Sequence, residues 1–130
     1  MLLNLTDISS EPLQSQIARQ IRAMILAGDL YAGQAISSIR VLARENRVSV
    51  ITVQRAYENL EREGLIHSRR GKGFFISELK DKDKKQMARE RLMETIEPLI
   101  KNALSEGLST IDVESTIQTI LDKIKKNNSL

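Results

Sequence analysis

Apolar side chains recur along this chain at three- and four-residue intervals in several stretches, broken once by a segment in which the period shortens to two. The first stretch places Leu13, Ile17, Ile21, Met24 and Ile25 on one helical face. Ser10 is its expected cap, the helix begins near Glu11-Pro12, and Gly28 closes it. The stripe reads as core, and Arg19 and Arg22 read as solvated. Met1–Ile8 ahead of it reads as extended, without chemistry of its own. Asp29 to Ala35 reads as a turn in which Gly33 takes a conformation that a side chain would resist.

The central stretch runs from Ile36 to Ile76. Ser38 can cap a short helix through Arg44, because its hydroxyl accepts an otherwise orphan backbone N–H. Val41, Leu42 and Val48 supply apolar contacts around the turn that follows. Ser49 opens a second helix that Gly64 closes, and Val53, Ala56, Tyr57 and Leu60 form its buried face. Val50, Ile51, Gln54 and Arg55 then point elsewhere. The period changes to that of strands at Leu65–Ser68 and Phe74–Ser77, joined by Arg69-Arg70-Gly71-Lys72-Gly73. Two glycines permit positive φ in a tight loop, and the cations between them suit phosphate oxygens. Helix, turn, helix and basic hairpin in this order are the layout of a winged helix-turn-helix. A nucleotide-cradling loop is disfavoured, since no helix follows the glycines.

Two more helical patterns close the chain. Ala88, Leu92, Ile96, Leu99, Ile100 and Ala103 mark one apolar face, ended by Gly107, with Pro98 expected to kink it near Glu94–Glu97. Ser109 and Asp112 have capping-box spacing ahead of a stripe of Val113, Ile117, Ile120, Leu121 and Ile124. Such a pair is too small for an independent core and must pack on the preceding domain or on a second copy. Self-complementary stripes favour the second copy. The expected fold is mainly α with a small β-hairpin wing: a winged helix-turn-helix in residues 1–78, a charged linker or helix start in 79–91, and a two-helix dimerisation element in 92–130.

Charge sharpens this picture. The 130 residues carry a net +3, unevenly spread. Residues 36–76 hold eight Lys/Arg against four Glu, for +4, whereas residues 92–130 hold four Lys against six acids, for −2. Positive charge therefore sits where the helix-turn-helix sits. Aromatics are only 3%, which disfavours stacking on single strands. Without cysteine and with one histidine, neither disulfides nor a zinc site is expected, and no cofactor is. No signal peptide or membrane span is read, so the expected location is the cytoplasm. No nucleophile, base and orienting group recur in a catalytic arrangement, and His67 and Arg62 read as structural; the chain is not expected to be an enzyme.

The residues that carry these elements resemble the DNA-binding domain of GntR-type transcriptional regulators. The matching pieces are Pro12-Leu13, Ile17, Ile21, Leu26-Ala27-Gly28-Asp29-Leu30, Gly33, Ser38, Arg40 and Leu42-Ala43. They continue with Val48-Ser49, Thr52-Val53, Ala56-Tyr57, Leu60, Glu63-Gly64-Leu65-Ile66 and Gly71-Lys72-Gly73. Val50-Ile51-Thr52 followed by Val53-Gln54-Arg55-Ala56-Tyr57 looks most like the YtrA-type branch. Ser37 stands where the family usually has proline, and Val50 where it often has arginine. Apolar contact of Val50 or Ile51 with thymine methyls fits that second departure.

The resemblance implies a homodimeric DNA-binding regulator, a repressor that sits on an inverted-repeat operator, with transporter operons as frequent targets of the branch. Positioning on double-stranded DNA would come from Ser38, Arg40, Ser49, Thr52 and the wing residues Arg69, Arg70, Gly71 and Lys72. Base reading would come from Val50, Ile51, Gln54 and Arg55. Leu92, Ile96, Leu99, Ile100, Ala103, Val113, Ile117, Ile120, Leu121 and Ile124 would make the dimer. The reading leaves room for an unidentified small-molecule effector. The competing expectation is a protein-interaction module that uses a winged helix as scaffold.

Overall fold

The computed structural model describes residues 1–128. Two compact units divide the chain, Met1–Lys85 and Gln86–Leu130. Among the described residues there are five helices and one three-stranded sheet.

In the first unit, α1 (Leu13–Leu26) and α2 (Ile39–Asn46) both pack on α3 (Val50–Arg62). The packing follows from the stripes. Ile17, Ile21 and Ile25 of α1, Leu42 of α2, and Val53, Ala56, Tyr57 and Leu60 of α3 are all buried. Leu65, Ile66 and Ile76 extend this core under the hairpin. Each large aliphatic side chain removed from water here contributes about 1.5–3 kcal/mol. α3 is thus clamped on its inner face and free on its outer one.

α1 does not begin as the sequence suggests. Its N-cap is Pro12, with no side-chain cap, and Ser10 is exposed outside the helix. Proline fixes the backbone there at φ −57°, and the helix starts one residue later, beyond the reach of Ser10. The preceding arm has more structure than expected too. Three side-chain amides bind its backbone much as a neighbouring strand would. Gln16 accepts from Thr6 N–H (3.0 Å) and donates to Thr6 C=O (2.9 Å). Gln20 does the same for Asn4, at 2.8 and 2.7 Å. Asn46 of α2 accepts from Leu3 N–H and donates to Met1 C=O, both at 2.8 Å.

Arg22 is likewise not solvated but 7% exposed. Its guanidinium makes a two-pronged ion pair with Glu63, at 2.8 and 2.6 Å, which ties α1 to the C-terminal end of α3. α2 runs two residues past Arg44 to Asn46, and Arg47 ends it in the left-handed conformation, φ 56°.

The sheet has strand order β1-β3-β2, all antiparallel, with β1 at Ala35–Ile36, β2 at Ile66–Arg69 and β3 at Gly73–Ile76. The hairpin register pairs Ile66 with Ile76, His67 with Phe75, Ser68 with Phe74 and Arg69 with Gly73. β1 falls at the end of the segment expected to be a turn. Gly33 N–H to Ile76 C=O (2.8 Å) and Ile76 N–H to Gln34 C=O (2.9 Å) hold it against β3.

α4 (Asp81–Ser105) begins within the charged segment and continues through Pro98, which withholds one N–H from the helical ladder. Gly107, at φ +100°, ends the turn that follows it. In the second unit α5 (Thr110–Asn128) starts on a reciprocal capping box: Ser109 N–H donates to Asp112 Oδ2 at 2.9 Å, and Asp112 N–H to Ser109 Oγ at 3.1 Å. The Ser109 backbone N–H, and after it the Ser109 hydroxyl, hold the Asp112 carboxyl below its ordinary pKa. Neither α4 nor α5 contains a buried residue within one chain. Ile96, Leu99 and Ala103 of α4 and Val113, Ile117 and Ile120 of α5 line a shallow apolar groove.

Candidate nucleic-acid interface

The outer face of α3 is set by its first turn. The Ser49 hydroxyl accepts from Thr52 N–H at 3.1 Å and sits 2.7 Å from the Thr52 hydroxyl. This cap fixes where the helix starts and so which side chains turn outward. Val50 and Ile51 are 45% and 54% exposed, so two neighbouring aliphatic side chains stand on the surface at the start of α3. Gln54 and Arg55 are exposed beside them.

Two residues of this face were not singled out from the sequence for DNA. Glu58 follows Gln54 by one helical turn and accepts from Gln54 Nε2 at 3.2 Å, so it orients the amide. Arg62 extends the same ridge and donates to Asn59 Oδ1 at 3.0 Å. The spacing of Ile51, Arg55, Glu58 and Arg62, four, three and four residues, was the available signal. The acids near Arg55 are engaged elsewhere: Glu58 with Gln54, Glu61 with Ser68 at 3.4 Å, and Glu63 with Arg22. Among the described residues Arg55 makes no ion pair.

At the start of α2, the Ser38 hydroxyl accepts from Val41 N–H at 3.2 Å, and Arg40 is exposed without an ion pair among the described residues. Tyr57 links this point to α3 and the sheet. Its hydroxyl donates to Ser37 C=O at 2.6 Å, and its ring meets Phe74 of β3 edge-on, with centroids 5.0 Å apart. Burial, with a smaller effect of Glu45, pushes the phenol well above its ordinary pKa.

The hairpin tip divides its three cations. Arg69 lies over the Phe75 ring, its guanidinium carbon 4.6 Å from the centroid, while His67 stacks near the same ring and sits 3.0 Å from Ser77 Oγ. Arg70 and Lys72 are exposed at the turn, without ion pairs among the described residues. Gly71 and Gly73 have φ +74° and +95°, values that a side chain resists. Lys72 N–H to Arg69 C=O, at 2.9 Å, closes the loop. The first unit thus offers an exposed hydroxyl and an exposed cation at the start of α2, a mixed polar and apolar face on α3, and a basic tip. These are donors for phosphate oxygens and a helix able to meet base edges.

Among the described residues no cluster of His, Cys, Asp and Glu could hold a metal, and no helix is long and apolar enough to cross a membrane.

Comparison with known proteins agrees with this geometry. Residues 13–76 match the family described as bacterial regulatory proteins, gntR family. The uncharacterized HTH-type transcriptional regulator YhcF of Bacillus subtilis is 32% identical over 117 residues, which are 88% of this chain and 93% of that protein. The HTH-type transcriptional repressor YtrA of the same organism is 38% identical over 77 residues, 59% of each chain. A GntR family transcriptional regulator from Listeria monocytogenes superposes with a TM-score of 0.74 at 27% identity, covering 88% of this chain and 98% of that one. The DNA-binding domain of AraR, solved in complex with operator ORX1, matches with a TM-score of 0.52 at 26% identity, over 59% of this chain and 95% of that one. These relatives are transcriptional regulators, a non-enzymatic role. With its helix-turn-helix, its wing and its paired C-terminal helices, this chain belongs to the GntR family of DNA-binding transcriptional regulators, in the YtrA-type branch.

Proposed function

We propose that the protein is a homodimeric repressor that acts in the cytoplasm and binds an inverted-repeat operator. Each copy places α3 in a major groove and its Arg70–Lys72 tip on the adjacent backbone. The half-sites then lie about one helical turn apart, roughly 34 Å. Ser38, Arg40, Ser49, Thr52, Arg69, Arg70, Gly71 and Lys72 position the duplex. Val50, Ile51, Gln54 and Arg55 read it, with Val50 and Ile51 against thymine methyls and Gln54 pairing its amide with adenine.

One observation carries this reading: α3 turns two large aliphatic residues, an amide and an arginine without an ion pair among the described residues outward from a well-packed unit. Solvent rewards only the last two. A major groove rewards all four. The assembly rests on Leu99 and Ile120, 61% and 50% exposed on helices with no buried residue of their own. Such faces are stable when a second copy covers them. The repressor assignment and an operator next to transporter genes follow the YtrA relative and the branch. Whether a small-molecule effector acts on the protein is tested by adding candidate ligands to the DNA complex.

The test is gel mobility of the DNA flanking the protein's own coding region, at two salt concentrations, alongside sedimentation of the free protein. A dimer that shifts an inverted repeat and ignores scrambled duplex is expected. A monomer, or equal affinity for both duplexes, overturns the proposal and leaves the protein-interaction module.

A further inference from the structure

The charged start of α4 is mixed in sequence but sorted in space. Lys82, Lys85 and Arg89 are followed by Leu92, Ile96, Leu99 and Ala103, and the steps between these seven positions are three, four, three, four, three and four. That alternation keeps them all on one face of an uninterrupted helix. The face is cationic up to Arg89 and apolar from Leu92 onward.

Of the acids of the segment, Asp81 flanks this seam one helical turn before Lys85. Asp83 and Glu90, seven residues apart, share a different face. Asp81 lies 4.0 Å from Lys84, and Glu90 accepts from Gln86 at 3.1 Å. Lys82, Lys85 and Arg89 are exposed, and none pairs with a carboxylate among the described residues; Arg89 reaches only Gln86 Oε1, at 3.0 Å.

A face of this kind cannot be covered along its whole length by one sort of neighbour. The apolar half suits another helix, but burying three like charges against an equivalent seam costs energy at each of them. The cationic half suits a polyanion.

We propose that Lys82, Lys85 and Arg89 form a further phosphate-contacting surface, which grips the backbone of duplex DNA. The inference rests on the chain's binding duplex DNA at all. It commits to phosphates because the three groups are long cations that pair with no carboxylate among the described residues, in a segment without aromatics.

The test compares three full-length proteins: the wild type, the triple variant K82Q/K85Q/R89Q, and an off-seam control, K84Q/R91Q. Affinity for operator duplex is measured against salt. The wild type and the control are expected to share one slope of log K on log[salt]. The triple variant should lose about 0.9 from that slope for each phosphate released, up to about 2.7 in all. Equal slopes in all three proteins overturn the proposal, as does an equal fall per charge in both variants, which reports only the general field. A triple variant that sediments as a tighter dimer with an unchanged slope also overturns it, since the seam would then act between copies. Failure of the wild type to bind duplex DNA instead defeats the functional reading itself, and the two failures are told apart by that first curve.

Discussion

Tyr57 shows how one side chain can serve three elements. It fills the core from α3, meets Phe74 on β3 and hydrogen-bonds Ser37 ahead of α2. Its raised pKa makes stability depend on alkaline pH: the neutral phenol's contribution is fully present below the ordinary value of 10.0 and falls as pH rises beyond it. Urea unfolding should therefore show wild-type stability dropping from pH 9 to pH 11 more steeply than that of Tyr57→Phe. At neutral pH the same substitution should cost about 1–2 kcal/mol, because Ser37 C=O loses its donor. Arg22→Ala should cost about 2–3 kcal/mol by the same assay, less than a fully enclosed pair, since Glu63 retains contact with water. At the proposed reading face, Gln54→Ala should lower affinity for operator about tenfold or more while leaving random duplex almost unaffected. Titration of both duplexes checks this, and equal losses would remove Gln54 from base reading. Residues of these kinds differ in how well the sequence shows them. Tyr57 sits in a helical stripe and is legible. Arg22 and Gln16 are not, because polar residues are buried only when a partner distant in sequence appears, here Glu63 and the Thr6 backbone.

The elements follow the hydrophobic spacing wherever the spacing is long enough to count. α1, α3 and α5 emerge from stripes of four or five apolar residues, and capping by Ser38, Ser49 and Ser109 was readable from residue type alone. β1 escapes this reading because two residues cannot display a period, and its pairing with β3 is decided across the chain. The start of α4 is only half legible, open in sequence between linker and helix start, because Asp81 to Arg91 has good helix formers but no apolar periodicity. The Ser109–Asp112 box makes the start of α5 sensitive to acid. With its pKa lowered in the folded chain, Asp112 contributes above the ordinary carboxylate value of 3.8, and the contribution is lost as pH falls below it. Far-ultraviolet circular dichroism should show helicity falling between pH 5 and pH 2, and falling less in Asp112→Asn, which starts without the charge.

For the whole molecule, two basic units would bind one palindrome far more tightly than one unit binds a half-site, so assembly and affinity are joined. Leu99→Asp combined with Ile120→Asp should leave the first unit's thermal unfolding nearly unchanged, because both positions are exposed within one chain. It should convert the proposed dimer to a monomer in sedimentation and weaken operator binding about a hundredfold. An unfolded product, or an intact dimer, would count against the proposed interface. The N-terminal arm has a consequence of its own. No regular secondary structure is assigned to residues 1–6, yet glutamine and asparagine amides occupy the peptide groups of Leu3, Asn4 and Thr6. In heavy water those three N–H groups should trade their protons slowly, a strand's behaviour in a segment that has no strand beside it.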